Sequence, residues 1–196
     1  MTPRVELLTE DEAPLLARPF YADGDPGPIT ASLAQVPELA EVALPFLGAA
    51  LGPSSIPLRA KELVILRTSA LLRCRYCVAS HTTVALDASL TRAEVEALRD
   101  ERPVDDAFTD PKELALLAWT DAVATGHGSV RDEVADRLAD HWPDHHVIEL
   151  TVLVGATMLL NRYCSALGLP PAEETIARLV AADYALELPE PAEEAP

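Results

Sequence analysis

Residues 62–81 of this chain read ELVILRTSALLRCRYCVASH, and the rest of the chain is interpreted outward from this stretch. It contains two cysteines separated by two residues, followed by a histidine. If a helix begins near Cys74, then Cys77 and His81 follow at i+3 and i+7, and at about 100° per residue all three project from one face. The stretch therefore predicts a helix with two sulfurs and an imidazole on one side.

Signals for helix ends divide the remaining sequence into segments of helical type. Thr91 with Glu94 predicts a capping box, and Asp110 repeats that logic before the next segment. Pro57 can occupy the first position of a helix, and Asp144 can cap the long helix that ends before glycine 168. No segment alternates polar and apolar residues for long enough to indicate a strand. The sequence predicts an all-α fold of about seven or eight helices.

One domain spanning residues 1–196 is the expected organisation. The composition, 49% hydrophobic and 24% charged, is that of a folded protein with enough apolar sequence for a proper core. Residues 1–30 are rich in proline and acidic side chains, and we interpret them as an N-terminal arm. Residues 187–196 are predicted to form a disordered acidic tail.

Charge and hydropathy exclude several classes of partner. The net charge of −17 argues against nucleic acid, which requires clustered Lys and Arg, and similarly against an anionic membrane surface. The N-terminus lacks a secretory signal, which predicts a cytoplasmic location. The apolar run 147–160 is interrupted by Glu149 and is shorter than the about 20 residues that span a bilayer. We interpret it as a helix buried in the monomer or against another subunit.

The three cysteines of the chain are too few for a disulfide scaffold and point to catalytic, metal-binding or incidental roles. Cys74 and Cys77, three apart in a first helical turn, can close a disulfide with little backbone movement. His81 can accept a thiol proton. The helix N-terminus, together with Arg73 and Arg75, would stabilise the resulting thiolate. The pattern predicts a reversible thiol-disulfide couple.

Glu62 is the only acidic residue in a basic segment that continues to Asp87. Its neighbours at i+3 and i+4 on the preceding helix are Ile65 and Leu66, so we expect its carboxyl group to be desolvated and able to pass a proton. The predicted proton relay runs from Glu62 to His81 to Cys77.

Two other interpretations of the cysteines stay open. Cys74, Cys77, His81 and a carboxylate form an acceptable ligand set for zinc, although no second knuckle of ligands is present in the sequence. Alternatively the pair is structural. Cys164 lies in the long apolar helix and is interpreted as a buried thiol that behaves as a small hydrophobe, outside the site.

The spacing E-x11-C-x-x-C-x3-H, met by Glu62, Cys74, Cys77 and His81, resembles the AhpD-like alkylhydroperoxidases of the carboxymuconolactone decarboxylase superfamily. The similarity extends over about residues 40–170. It implies an AhpD-like helical bundle that forms a homo-oligomer and a peroxidase or disulfide reductase cycle without a cofactor or metal ion. By position, Cys77 would attack the peroxide and Cys74 would resolve the sulfenic acid. Spacing alone leaves the attacking cysteine open, because the helix dipole favours Cys74 and His81 favours Cys77.

The resemblance also implies the partners: a small-molecule hydroperoxide and an external dithiol reductant of the lipoyl or peroxiredoxin type. Tyr76 stands where AhpD has a histidine, and a phenol with an ordinary pKa of about 10 cannot act as a base near neutral pH. One rival function is a carboxymuconolactone-type decarboxylase, which has no need of two sulfurs. Another is a non-enzymatic, zinc-binding helical interaction protein.

Overall fold

The computed structural model describes residues 2–186 and Leu188. Every regular element in this part of the chain is helical, which confirms the all-α prediction. The α-helices, in chain order, are α1 (Gly27–Leu33), α2 (Pro37–Leu51), α3 (Leu58–Leu71), α4 (Arg75–Asp87), α5 (Arg92–Leu98), α6 (Pro111–Thr125), α7 (Asp132–Ala139), α8 (Asp144–Leu167) and α9 (Glu173–Ala181). Two short 3-10 helices, Arg18–Tyr21 and Val104–Asp106, lie in the connections.

Helix α3 lies at the centre of the bundle, where it packs against α4, α6 and α8. All its side chains from Ala60 to Ala70 are buried. Polar side chains enclosed in this way lose their contact with water and need partners inside the protein. Two charged side chains are paired accordingly: Lys61 Nζ lies 3.0 Å from Glu149 Oε1, and Arg67 Nε lies 2.8 Å from Asp121 Oδ1.

The helix starts follow local chemistry in two predicted cases. Thr91 and Glu94 form a complete capping box at the start of α5, in which each side chain accepts from the other residue's backbone N–H. The Asp110 carboxylate accepts the backbone N–H of Lys112 at the start of α6. Both predictions are confirmed, because a cap depends only on residues close in sequence.

Two other predicted helix starts are wrong by one residue. Pro57 precedes α3 in an extended conformation, with φ −58° and ψ 142°, so Leu58 is the first helical residue. Asp144 is the first residue of α8, and Pro143 occupies the cap position with φ −69° and ψ 155°. The φ that the proline ring imposes suits both the cap and the first helical position, so composition alone does not separate them.

The N-terminal segment contains more helix than the sequence indicated. Helix α1 begins at Gly27, inside the predicted arm, which raises the helices in the described residues to nine instead of seven or eight. Before α1 the chain lies against the end of α8, where the Arg4 backbone N–H donates to Leu167 O at 2.8 Å. The predicted acidic tail, 187–196, lies outside the described residues apart from Leu188.

Helix α8 extends further than the apolar run from which it was predicted. Its 24 residues make it the one helix in the described part of the chain that is long and apolar enough to cross a membrane, judged by length and composition only. It packs against α2, α3, α4 and α6 in the bundle. Leu150, Leu153 and Val154 are completely enclosed. These contacts bury one side of α8, whereas Ile148 and Leu159 remain exposed, so the burial predicted from the sequence is observed on one side only.

Candidate active site

A tight turn between α3 and α4 positions the first cysteine. Arg73 adopts a left-handed conformation with φ 54°, which costs a non-glycine residue roughly 1 kcal/mol. Two backbone hydrogen bonds close the turn: Arg73 N donates to Ala70 O, and Cys74 N donates to Ser69 O, both at 2.9 Å. This double closure is a Schellman arrangement that ends α3 and starts α4 within three residues. It places Cys74 at the N-cap of α4.

The two cysteines of the motif lie side by side. Cys74 Sγ and Cys77 Sγ are 2.9 Å apart, and Cys74 Sγ also accepts the backbone N–H of Cys77 at 3.4 Å. Both are free thiols. Cys74 is completely buried and Cys77 retains 6% exposure, so Cys77 is the more accessible of the two. A covalent bond requires about 2.05 Å between sulfurs, so the pair can close to a disulfide with a small movement.

A third sulfur lies in the same place. Cys164 of α8 is 1% exposed, and its Sγ, Cys74 Sγ and Cys77 Sγ all lie within 4.8 Å of one another. The burial of Cys164 that the sequence predicted is therefore observed. Its position beside the motif cysteines was not predicted, because the sequence interpretation placed Cys164 outside the site. No spacing signal connects Cys164 to the motif, because the packing of α8 against α4 brings them together.

The three thiols have unequal acidities because they hydrogen-bond to one another. Hydrogen bonds from Cys164 and Cys77, followed by the backbone N–H of Cys77, lower the pKa of Cys74 to about 3 against the opposing effect of burial. The pKa of Cys77 is raised by its hydrogen bonds with Cys164 and Cys74 and by burial. The hydrogen bond with Cys74 is the main cause that raises the pKa of Cys164 to about 12. These hydrogen bonds therefore favour the thiolate form of Cys74 over that of the other two cysteines.

Three cations of α3 are paired with carboxylates. Arg59 pairs with Glu94 and Glu113, at 2.5 and 2.7 Å, and these hydrogen bonds raise its pKa. Lys61 and Arg67 are paired with carboxylates of α8 and α6, as described above. The stabilisation of a thiolate by Arg73 and Arg75 stays a prediction, and the largest causes that lower the pKa of Cys74 are hydrogen bonds from the other two sulfurs.

His81 and Glu62 meet across the α3–α4 interface. The distance between His81 Nδ1 and Glu62 Oε2 is 3.0 Å. The Glu62 side chain is 3% exposed and the His81 side chain is 23% exposed. The carboxylate is therefore buried as expected, and the imidazole lies at the edge of the protein interior. A carboxylate held at Nδ1 orients the ring and leaves Nε2 as the nitrogen that exchanges protons. His81 lies on α4, one turn after Cys77.

The candidate metal ligands differ from the set proposed from the sequence, which was Cys74, Cys77, His81 and a carboxylate. Among the described residues, the group whose donor atoms are close enough to hold a metal ion consists of Cys74, Cys77 and Cys164. His81 and Glu62 are not part of that group, since they are hydrogen-bonded to each other. Three thiolate sulfurs would suit a soft or borderline metal ion.

A cavity of about 260 Å³ adjoins the sulfurs on the side of α8. Its described lining contains Cys164 but neither Cys74 nor Cys77, and it is formed otherwise by Arg73, Arg75, Tyr76, Ser165, Gly168, Leu169, Pro170, Pro171, Ile176 and Leu186. Burial is the largest cause that raises the pKa of Tyr76 to about 12, so its phenol stays protonated and does not replace a catalytic base. The cavity is mostly apolar, with two arginines.

Comparison with known proteins gives a match of residues 37–122 to the carboxymuconolactone decarboxylase family. The matched segment includes Glu62, Cys74, Cys77 and His81, and Cys164 falls outside it. The match covers 86 of the 196 residues, so that segment of the chain is similar to the family. Two similar proteins are uncharacterized: YdfG of Bacillus subtilis, 26% identical over 59% of this chain and 78% of its own length, and YnjA of Escherichia coli, 28% identical over 56% of this chain and 59% of its own length.

Solved structures share the fold of this chain. An uncharacterized peroxidase-related protein with an AhpD core from Ralstonia eutropha superposes with a TM-score of 0.76 at 18% identity, over 88% of this chain and 94% of its own. The debrominase Bmp8, in a complex of a cysteine-to-alanine variant with 2,3,4-tribromopyrrole, gives a TM-score of 0.74 at 22% identity, over 92% of this chain and 98% of its own. At these identities the likeness establishes the AhpD-like helical fold.

Proposed function

We propose that this protein is a thiol-dependent oxidoreductase that reduces hydroperoxides through Cys74 and Cys77, with His81 and Glu62 as the proton relay. The observation that carries the proposal is the 2.9 Å approach of two reduced sulfurs at a helix start, one turn before an imidazole held by a buried carboxylate. The match of residues 37–122 to the carboxymuconolactone decarboxylase family and the shared fold of a peroxidase-related protein support an enzyme of this general type.

In the proposed first step, Cys77 attacks the peroxide. It is the more exposed cysteine of the pair. In the proposed relay His81, one turn later on α4, takes up its thiol proton as the sulfur becomes nucleophilic. The sulfur bonds to the terminal peroxide oxygen, the O–O bond breaks, and the leaving alkoxide takes a proton to become an alcohol. Cys77 is thereby oxidised to a sulfenic acid.

In the second step, Cys74 resolves the sulfenic acid. The two sulfurs are 2.9 Å apart in the reduced protein, where hydrogen bonds lower the pKa of Cys74. Attack forms the Cys74–Cys77 disulfide and releases hydroxide, which leaves as water with the second proton. Two thiols have then supplied the two electrons that reduce one peroxide, and an external dithiol of the lipoyl or peroxiredoxin type must return the disulfide to thiols.

A carboxymuconolactone-type decarboxylase is the second function that the superfamily allows. That reaction needs a base and an anion pocket but no neighbouring sulfurs. The buried cluster of three thiols therefore favours the redox proposal. We also retain the prediction of a cytoplasmic location, where an external dithiol would be available.

The direct test is to map the disulfide after oxidation. Trypsin cuts after Arg73, Arg75 and Arg92, so it separates Cys74 and Cys77 unless a disulfide links them. After one equivalent of hydrogen peroxide, followed by alkylation under denaturing conditions, we expect peptide 76–92 to carry the dipeptide 74–75. Reduced protein that yields only alkylated peptides after this treatment would contradict the redox function.

We further propose that the protein forms a homo-oligomer through α2 and α8. These two helices pack side by side and expose a set of large apolar side chains at helical spacing: Leu39, Val42, Phe46, Ile148, Val152 and Leu159. Contiguous apolar surface of this kind is uncommon on monomers. A second copy of the chain, carrying the same face, is the occupant we expect to cover it.

Val152→Asp tests this interface, because it places a charge in the middle of the apolar face. We expect sedimentation to shift toward the 21.0 kDa monomer. The matched control is Val180→Asp, since Val180 on α9 is 67% exposed and lies away from that face. An unchanged mass for Val152→Asp, or the same dissociation in both variants, would exclude this face as the interface.

A further inference from the structure

We propose that Cys164 is a third redox-active cysteine, which receives the disulfide from the motif pair and presents it at the cavity. This inference rests on the proposed thiol redox function and extends it to a residue outside the family match. Three observations support it: the mutual approach of the three sulfurs within 4.8 Å, the hydrogen bonding of Cys164 to the motif pair, and the position of Cys164 in the lining of the cavity.

Cys164 offers an approach to the sulfur cluster from the cavity of about 260 Å³. Cys74 is fully enclosed, and neither it nor Cys77 is among the described residues that line the cavity, whereas Cys164 is one of them although it is only 1% exposed. A hydroperoxide is small, but a dithiol reductant must bring its own sulfur in line with the disulfide. Cys164 is the one cysteine among the described residues that line the cavity. A disulfide that includes its sulfur can therefore be attacked from the cavity.

The transfer is an ordinary thiol-disulfide exchange. The Cys164 sulfur attacks Cys74 of the Cys74–Cys77 disulfide, the bond between Cys74 and Cys77 breaks, and a bond between Cys74 and Cys164 forms. The proton lost by Cys164 is taken by the released Cys77 thiolate, so electrons and protons balance and no further oxidant is needed. An external dithiol then reduces the Cys74–Cys164 disulfide to two thiols and becomes a disulfide itself.

The exchange has a consequence for the reaction cycle. It returns Cys77, the proposed attacking cysteine, to the reduced state, while the Cys74–Cys164 disulfide remains beside the cavity until a dithiol reduces it. Reduction by a dithiol and attack on a second peroxide can then occur on different faces of the sulfur cluster. The position of Cys164 on α8, with the other two sulfurs on the α4 segment, gives the cluster these two approaches.

Tryptic mapping distinguishes the possible disulfides, because each cysteine falls in a different peptide: 74–75, 76–92 and 163–178. After one equivalent of hydrogen peroxide, we expect two disulfide-linked species of the dipeptide 74–75 in the wild-type chain: one linked to 76–92 and one linked to 163–178. In Cys164→Ser the link to 76–92 persists and the link to 163–178 is lost. With dithiothreitol as the probe reductant, the rate constant for re-reduction of the oxidised variant falls about tenfold.

Ala166→Ser is the matched control, because it is an exposed position in the same turn of α8 and leaves all three sulfurs in place. Cys164→Ala provides a second variant with an apolar side chain. If the link between peptides 74–75 and 76–92 forms in this variant, the site is still folded. A wild-type chain that oxidises only between Cys74 and Cys77, with re-reduction unchanged in both Cys164 variants, would overturn the inference but not the proposed function. A wild-type chain with no peroxide-dependent link at all would overturn both. A stoichiometric metal ion held by the three thiols, with those thiols unreactive toward peroxide, would also overturn it.

Discussion

Cys77→Ser abolishes peroxide turnover, with an expected loss of at least about a thousandfold in steady-state rate. The serine hydroxyl cannot form the sulfenic acid that begins the proposed cycle, because oxygen lacks the nucleophilicity of a thiolate. Peroxide consumption coupled to oxidation of dithiothreitol measures the loss. The serine is similar to cysteine in size and keeps a hydrogen-bond donor toward Cys74, so we expect the fold to persist.

The companion variant tests the assignment of the two roles. Cys74→Ser combined with Cys164→Ala removes both neighbouring thiols, so Cys77 should complete one round and stop as a sulfenic acid that a cyclic diketone reagent can trap. Equal single-turnover rates in this double variant and in Cys77→Ser would contradict the assignment. A faster first oxidation in Cys77→Ser would transfer the attacking role to Cys74, which carries the charge of the reduced cluster.

Glu62→Gln is expected to lower peroxide turnover by about 10²- to 10³-fold, the range of a lost general acid-base contribution. The amide keeps the size of the buried carboxyl group but removes the charge that orients His81 through Nδ1 at 3.0 Å. An imidazole without that partner can adopt the other tautomer or turn away from Cys77. Rapid mixing of reduced protein with peroxide should place the loss in the first oxidation step.

Glu113→Gln is the matched control for this substitution. Like Glu62, Glu113 is a carboxylate held by a neighbouring side chain, in this case Arg59, but it lies on α6 and is not part of the sulfur cluster. We expect its loss to affect the free energy of unfolding and not the oxidation of Cys77. If both glutamine variants slow turnover equally, or if Glu62→Gln alone leaves the rate unchanged, the carboxylate has no specific part in the relay.

The elements of this protein that were predicted correctly depend on residues close in sequence. The capping box of Thr91 and Glu94 and the cap at Asp110 are such cases, because both partners lie within one turn. Errors arose where two local arrangements have similar energies. Pro57 could occupy either of two positions at a helix start, and Gly27 begins a helix in a segment whose composition indicates turns.

The candidate site divides along the same line. Cys74, Cys77 and His81 belong to the beginning of one helix, so their spacing alone brings the two sulfurs together and sets the imidazole one turn away. The surroundings of the cysteines were less predictable. Nothing in the sequence indicated that Cys164 would approach the pair, and hydrogen bonds from Cys164 and Cys77 are the largest causes that lower the pKa of Cys74.

The sequence by itself determined the helical class and the positions of the cysteine pair and His81, because helical periodicity relates residues within a few positions of one another. Only the tertiary structure decided that the Glu62 carboxylate reaches His81 from α3, and that Cys164 completes a cluster of three sulfurs from α8. Both depend on how α3 and α8 pack against α4, which minimises exposed apolar surface across residues far apart in the chain. The spacing of residues within one helix does not predict how that helix packs against helices from distant parts of the chain.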